Sequence, residues 1–204
     1  MNLYRTSKRL FDLLAAALGL VALSPVMLVL YLLVRAGGGG PGFFVQDRAG
    51  LGGKLFPLVK FRTMKASHAH NPDPTIVITD ADADVTPVGR FLRRTKLDEL
   101  PQLFNVLAGQ MSLVGPRPTV PEQIADYTAF QRRRLEVPPG VTGLAQVHGG
   151  TALTWPERIE WDVYYVDHRS WGMDARILLA TLAALFRGAE KRVQRLQDYL
   201  RQEK

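Results

Sequence analysis

Residues Leu13 to Val34 read LLAAALGLVALSPVMLVLYLLV, twenty-two positions without a charge. As one helix this run would extend about 33 Å, enough to cross the hydrocarbon core of a bilayer. It is too long for the apolar region of a signal peptide, and it ends in Val34-Arg35 rather than at a small-residue cleavage site. A helix apolar on every side also needs a larger protein around it than this chain supplies. Membrane insertion is therefore expected. Ser24-Pro25 stands in the middle of the run, where proline removes a backbone donor and crowds the preceding turn, so a kink or break is expected there. Basic residues flank both ends, with Arg5, Lys8 and Arg9 before and Arg35 after. A spanning helix normally has its Lys/Arg excess on the cytoplasmic side only. Basic flanks on both sides of a broken helix also fit a hairpin that enters and leaves by one face. On the residues alone the kinked spanning helix is preferred, because transmembrane helices tolerate proline.

Around this run the chain has 204 residues, room for one domain and cramped for two. A hydrophobic content of 47% excludes a disordered chain, and 18 Gly and 13 Pro without a period exclude collagen-like or low-complexity sequence. There is no cysteine, which removes disulfides, Cys-ligated zinc, iron–sulfur clusters and thiol nucleophiles together. Twenty-six Lys and Arg against nineteen Asp and Glu give +7, a balance that suits nucleic acid, an anionic membrane or a phosphate-rich substrate.

Gly37 to Gly42, GGGGPG, is a flexible joint that ends the hydrophobic element. Beyond it, Phe43-Phe44-Val45 and Lys54 to Phe61 read as short strands separated by a turn at Gly50, Gly52 and Gly53. Ala66 to Val85 is polar and rich in Pro and Asp. An EF-hand loop starting at Asp80 would need Gly where Val85 stands and Glu where Phe91 stands, so Asp80, Asp82 and Asp84 are read as a solvated loop. His68 and His70 have no third ligand near them in sequence and are read the same way.

The chemistry concentrates in residues 89–118, GRFLRRTKLDELPQLFNVLAGQMSLVGPRP. Leu100, Leu103, Phe104 and Leu107 share one face of a helix, and Pro101 fits only its first turn, which places Asp98 at or near the N-cap. Taken by itself, an Asp-Glu pair there is a structural cap. Arg90, Arg93 and Arg94 precede the pair, however, and Arg117 follows in the stiff turn Gly115-Pro116-Arg117-Pro118. Guanidinium groups match phosphate oxygens, so carboxylates and arginines converging here suit metal-assisted phosphoryl transfer. In that chemistry one carboxylate attacks phosphorus and a second holds Mg²⁺.

LDELPQLFNVL (97–107), MSLVGPRP (111–118) and PPGVTGLAQV (138–147) resemble the bacterial sugar transferases, the monotopic type of the polyprenyl-phosphate phosphoglycosyltransferase superfamily. The resemblance extends to SKRLFDLLAAALGLVALSPVML (7–28), FFVQDRAG (43–50), LVKFRTM (58–64), DVYYVDH (162–168) and DARILLATL (174–182), nearly the whole chain in order. It implies an α+β protein in which a re-entrant helix-break-helix hairpin over residues 1–36, broken at Ser24-Pro25, precedes a compact, mainly helical catalytic core over 37–188. That core would have a small β element and interfacial amphipathic helices, followed by a basic amphipathic tail over 189–204. The resemblance thus reverses the preference for a spanning helix. It further implies transfer of a sugar 1-phosphate from a UDP-sugar to undecaprenyl phosphate with release of UMP, the first membrane step in making a capsule, exopolysaccharide, O-antigen or glycoprotein glycan. Asp98 would be the nucleophile, carrying the phosphosugar, and Glu99 would hold Mg²⁺, with Mn²⁺ as the alternative. Arg93 and Arg117 match the family's phosphate site. Lys60 and Arg62 would join them, with Gln46, Arg48 and Arg90 as outer contributors. The implied partners are the UDP-sugar, undecaprenyl phosphate and membrane lipids, at the cytoplasmic face of the bacterial inner membrane. A homodimer is compatible with this reading.

Some positions depart from the family pattern. Many relatives have AQVNGR where residues 145–150 read AQVHGG, so an arginine is missing at Gly150; His148 is read as a polar turn residue, and Asp84 stands where Arg is frequent. Val120 to Leu135 is expected to be helical, with Arg132, Arg133 and Arg134 facing headgroups or solvent. Trp155, Trp161, Tyr164, Tyr165 and Trp171 suit either a membrane interface or a core. An apolar helix is expected from Ala175 to Phe186. Nucleic-acid binding, the competing reading of +7, has no recognition motif to support it and is not expected. A non-catalytic membrane scaffold would have no use for the Asp98-Glu99 pair.

Overall fold

The computed structural model describes residues 3–38, 40–65, 84–187 and 193–202. The loop positions His68, His70, Asp80 and Asp82 lie outside the described residues, as do 188–192 and 203–204 of the tail.

The apolar run forms one helix, α1 (Leu3–Gly38), which continues through Pro25. The expected break in helical structure is absent, and a local hydrogen bond explains why. Pro25 has no N–H to offer the carbonyl of Val21, four residues earlier, and the Ser24 hydroxyl donates to that same oxygen at 2.8 Å. Along one face, Ala16, Leu20, Leu23, Met27, Leu30 and Val34 alternate steps of four and three, and all six are packed into the folded part. Leu14, Leu18, Val21, Leu28, Val29 and Leu32, on the other sides, are more than half exposed. Such an outward-facing apolar surface on a helix of this length suits lipid rather than water.

Polar groups fasten the first turns of α1. Arg9 donates to the carbonyls of Val106 and Leu107 at 2.7 and 3.1 Å. Asp12, almost fully buried, accepts from the Leu113 amide, and Tyr4 and Lys8 both reach the Asp174 carboxylate. Each buried charge is thereby paired or hydrogen-bonded.

The two expected strands form an antiparallel hairpin of β1 (Phe43–Ala49) and β2 (Leu55–Phe61), with Phe43 opposite Phe61 and Ala49 opposite Leu55. Gly52 and Gly53 take left-handed φ of 65° and 79° in the turn between them. Next comes α2 (Pro87–Thr95), capped by the Thr86 hydroxyl, which accepts from the Gly89 amide. Gly89 lies against the Thr63 backbone so closely that a Cβ there would stand 2.0 Å from the Thr63 carbonyl oxygen. After α3 (Gln102–Leu107), a short parallel pair of β3 (Ser112–Val114) and β4 (Gly140–Thr142) brings the Gly115–Pro118 turn beside residues 138–142.

The expected helix over 120–135 is instead three pieces: α4 (Pro121–Ala125), α5 (Ala129–Arg132) and a 3₁₀ turn (Arg133–Glu136). Thr128 and Gln131 build a capping box that starts α5 as a separate element. After α6 (Leu144–Val147), the long helices α7 (Trp155–His168) and α8 (Trp171–Arg187) complete the core, with Trp161, Tyr165 and Ile177 essentially inaccessible. The aromatic cluster thus divides. Trp161 and Tyr165 are core, while Trp171 stays partly exposed, edge-on to Tyr4 and Phe11 of α1. In the described part of the tail, α9 (Leu196–Gln202) folds back and sets Tyr199 against Trp161 and His148.

Candidate active site

Lys96 is the one non-glycine residue among those described with a positive φ, at 61°. This left-handed residue ends α2 and turns the chain directly into a 3₁₀ turn, Leu97–Glu99. Pro101, not Asp98, is the N-cap of α3, so the expected capping role of Asp98 is replaced by something else. Asp98 and Glu99 are both only 8% exposed, and Oδ1 of Asp98 is buried without a hydrogen-bond partner. An unpartnered buried carboxylate oxygen is costly in a fold and characteristic of a working site.

Glu99 Oε1 accepts from Arg117 Nη2 at 2.7 Å, while half of the Arg117 side chain stays exposed. The two carboxylates are pushed in opposite directions. Burial, then the neighbouring Glu99 charge, raise the Asp98 pKa against the pull of Lys60, Lys96 and Arg117. Burial also acts to raise Glu99, but Arg117, with Lys96 and Lys60, outweighs it and holds Glu99 ionised below the usual range. Adjacent carboxyl groups with separated affinities for a proton can take separate roles.

A cavity of about 1030 Å³ opens beside the pair, lined in part by Glu99, Lys60, Arg62, Arg93, Arg117, Gln46 and Arg48. The structure therefore brings together most of the sequence-predicted residues, although Asp98, buried next to Glu99, is not itself among the lining residues. Burial lowers the Lys60 pKa to about 8 even though Asp98 opposes it, and lowers that of Arg48 to about 10 with help from Arg117. Arg93 is held by Thr63, to whose hydroxyl its Nε donates at 2.9 Å, and Arg48 donates to Gln46 Oε1 at 2.8 Å. Lys60 lies over the Phe44 ring. Arg90 is not part of this group: it is exposed, reaches back to the Val85 carbonyl and is not among the cavity's lining residues. Arg93 and Arg94, three and four residues on, share its side of α2, so it is the bond to Val85 at the start of the helix that draws its guanidinium away.

Arg94, noted ahead of the pair, also lines the cavity, as do Lys96, Arg134, Trp155 and Arg158, which were missed as site residues. Arg134 is neither solvated nor at a headgroup. It is buried against Asp162 at 2.5 Å, and its Nη2 also donates to the Arg117 carbonyl at 2.9 Å. The guanidinium that steadies Arg117's backbone is thus held by a carboxylate from α7. Trp155, Arg158 and Asp162 fall at i, i+3 and i+7 of that helix, a spacing legible in the sequence. Arg133 pairs with Asp167 at the surface instead. His148 stacks on Trp161 at 4.0 Å, its ring held by the Leu144 carbonyl, so its role is packing.

No group of three or more His, Cys, Asp or Glu gathers among the described residues. Magnesium usually keeps several waters and binds through one or two carboxylates together with substrate phosphates. The unpartnered Asp98 Oδ1 and the neighbouring Glu99 carboxylate fit that kind of joint site.

Residues 3–188 match the family model described as bacterial sugar transferase. The chain is 45% identical over 175 residues to the uncharacterized sugar transferase EpsL of Bacillus subtilis, covering 86% of this chain and 85% of that protein. It is 42% identical over 183 residues to the UDP-glucose:undecaprenyl-phosphate glucose-1-phosphate transferase of Klebsiella pneumoniae, covering 86% of this chain but 39% of that enzyme. With the exopolysaccharide production protein ExoY of Sinorhizobium fredii it shares 38% identity over 192 residues, 88% of this chain and 85% of the relative. The chain therefore spans about two fifths of the Klebsiella enzyme and most of the two shorter relatives. With a family match over nearly its whole length, and with Glu99 of its LDEL segment facing a cation-lined cavity, the chain belongs to the bacterial sugar transferase family of enzymes.

Proposed function

We propose that this enzyme moves a sugar 1-phosphate from a UDP-sugar to undecaprenyl phosphate, with Asp98 as a covalent nucleophile. The observation that carries the reading is the buried, unpartnered carboxylate oxygen of Asp98, next in the chain to Glu99, which pairs with Arg117 and lines a cavity rich in cations. Relatives named as UDP-glucose:undecaprenyl-phosphate glucose-1-phosphate transferase and undecaprenyl-phosphate galactose phosphotransferase support the donor and acceptor classes.

In the first step a carboxylate oxygen of Asp98 attacks the sugar-bearing phosphorus. The bond from that phosphorus to the bridging oxygen breaks, and UMP leaves with the bridging oxygen. In the second step a phosphate oxygen of undecaprenyl phosphate attacks the same phosphorus. The aspartyl–phosphorus bond breaks, giving undecaprenyl diphosphate sugar and regenerating the carboxylate. Arg117 and Arg93 hold the equatorial oxygens, and Lys60 offsets the charge of Asp98 before attack. A divalent cation bound through Glu99 would supply Lewis-acid neutralisation of the diphosphate. Splitting the reaction in two lets UMP depart before the second anionic substrate arrives.

The reading includes a helix α1 that enters and leaves the cytoplasmic leaflet of the inner membrane without crossing it, bending at Ser24-Pro25. Support comes from Tyr4 and Lys8 at one end of α1 and Val34 at the other, all packed against the same folded part. A helix with its ends on opposite faces of a bilayer would have to part from that surface.

UMP release from a panel of UDP-sugars, with undecaprenyl phosphate and Mg²⁺, tests the reaction directly. One sugar should give turnover, and Asp98→Asn should lower it by at least about 10³-fold; full activity in that variant would sink the nucleophile assignment. The acid limb of the kcat/KM profile should lie above the ordinary carboxylate range, because Asp98 must be ionised and its pKa is raised. An alkaline limb near 8 should follow loss of the Lys60 proton, and Lys60→Arg should move that limb upward. A profile unchanged in the arginine variant would remove Lys60 from the site. The chain has no cysteine, so single cysteines at Thr6 and Pro41 report topology cleanly. Both should react from the cytoplasmic side, whereas labelling from opposite sides would reject the non-crossing helix.

A further inference from the structure

The cavity is polar along Gln46, Arg48 and Arg117, but one stretch of its lining is apolar and belongs to different elements. Leu100 and Leu103 come from the chain just after the carboxylate pair, Val141 from β4, and Thr181, Ala184 and Leu185 from the C-terminal half of α8. The Thr181 hydroxyl donates to the Ile177 carbonyl at 2.8 Å and is also bonded to the Thr142 hydroxyl at 2.7 Å, so it adds no unsatisfied polar group to this wall.

Two features give the wall a direction. Leu103 packs in the same cluster as Ala16 of α1, and its Cδ1 lies 3.3 Å from where a Cβ on Gly19 would stand, so the wall abuts the apolar helix directly. On its other side, Leu179, Leu182 and Leu185 of α8 are exposed by 66, 52 and 49%, at a spacing of three residues. The apolar stretch therefore runs from the inner face of the apolar helix α1 to the outward-facing leucines of α8. Lys60, Arg93 and Lys96 line the same cavity, the charge complement of a phosphate monoester.

We propose that this stretch is the groove for the isoprenoid chain of the acceptor lipid, which enters between α1 and α8 and places its phosphate among Lys60, Arg93 and Lys96. The proposal rests on the transfer reaction above and adds where the lipid tail lies. A nucleotide sugar has nothing apolar to place there, whereas each isoprene unit buried against Leu100, Leu103, Ala184 and Leu185 contributes to binding. The groove thus separates the acceptor from the donor by chemistry, the donor being left the polar wall of Gln46, Arg48 and Arg117.

Two variants at the groove test this, Ala184→Trp, which fills it, and Leu185→Asp, which charges it. With full-length enzyme in bilayer nanodiscs, each should raise the KM for undecaprenyl phosphate at least tenfold while leaving the KM for the UDP-sugar within twofold. The thermal midpoint and nanodisc retention of each variant should match wild type. In parallel, an undecaprenyl phosphate analogue carrying a photoreactive group on its second isoprene unit should crosslink to peptides containing residues 100–103 or 181–185. Unchanged acceptor KM in both variants, or crosslinks confined to the exposed face of α1, would overturn the groove while wild-type turnover still upheld the reaction. Absence of turnover by the wild type with any UDP-sugar would overturn the reaction, and the groove with it.

Discussion

Burying two adjacent carboxylates is the constraint on which the site depends. Asp98 and Glu99 are both 8% exposed, and an isolated buried carboxylate would take up a proton rather than stay charged. Arg117 resolves this for Glu99 by direct contact at 2.7 Å. Asp98 receives only the longer-range pull of Lys60, Lys96 and Arg117, against its own burial and the charge of Glu99. The result is one carboxylate held ionised and a second with a raised pKa and a buried oxygen that has no hydrogen-bond partner. The left-handed Lys96 makes the unequal arrangement, since it breaks the chain between α2 and α3 and sets the pair on a short 3₁₀ turn.

The rest of the fold keeps this turn and its cations in register. Arg134, neutralised by Asp162 in the interior, donates to the Arg117 carbonyl, so α7 fixes the backbone of the arginine that holds Glu99. On the other side, Asn105 of α3 accepts from the Val59 amide at 3.0 Å and donates to the Pro57 carbonyl at 2.7 Å, which locks β2 next to Lys60. The apolar helix joins the same framework. Arg9 binds the carbonyls at the end of α3, and Asp12 holds the Leu113 amide at the start of the segment that leads to Arg117. Its outward face can meet lipid while its inner face meets the elements that shape the site.

Much of this was legible in the sequence, because the strongest signals were local. The β1–β2 hairpin followed from its apolar runs and the glycines between them, and the apolar helix followed from its length. The Asp98-Glu99 pair with Arg93 and Arg117 stood out by spacing. What the sequence hid was set by partners distant along the chain. Proline at position 25 announced a break, but the Ser24 hydroxyl takes over the Val21 carbonyl and the helix continues. Arg134 looked like one of three surface arginines until Asp162, twenty-eight residues later, claimed it. Asp98 looked like an N-cap because the 3₁₀ turn depends on a left-handed lysine, a conformation that no propensity favours. His148 could not be assigned to packing before Trp161 and Tyr199 were placed around it.

The central claim is that Asp98 itself carries the phosphosugar. Intact-mass measurement of the enzyme, quenched after exposure to its UDP-sugar and Mg²⁺ without acceptor lipid, tests this most directly. The account predicts an added mass equal to one sugar phosphate, mapped to the peptide containing Asp98, absent from Asp98→Asn, and discharged when undecaprenyl phosphate is added. An adduct that persists in Asp98→Asn, or turnover that requires both substrates together and never yields an adduct, would contradict it.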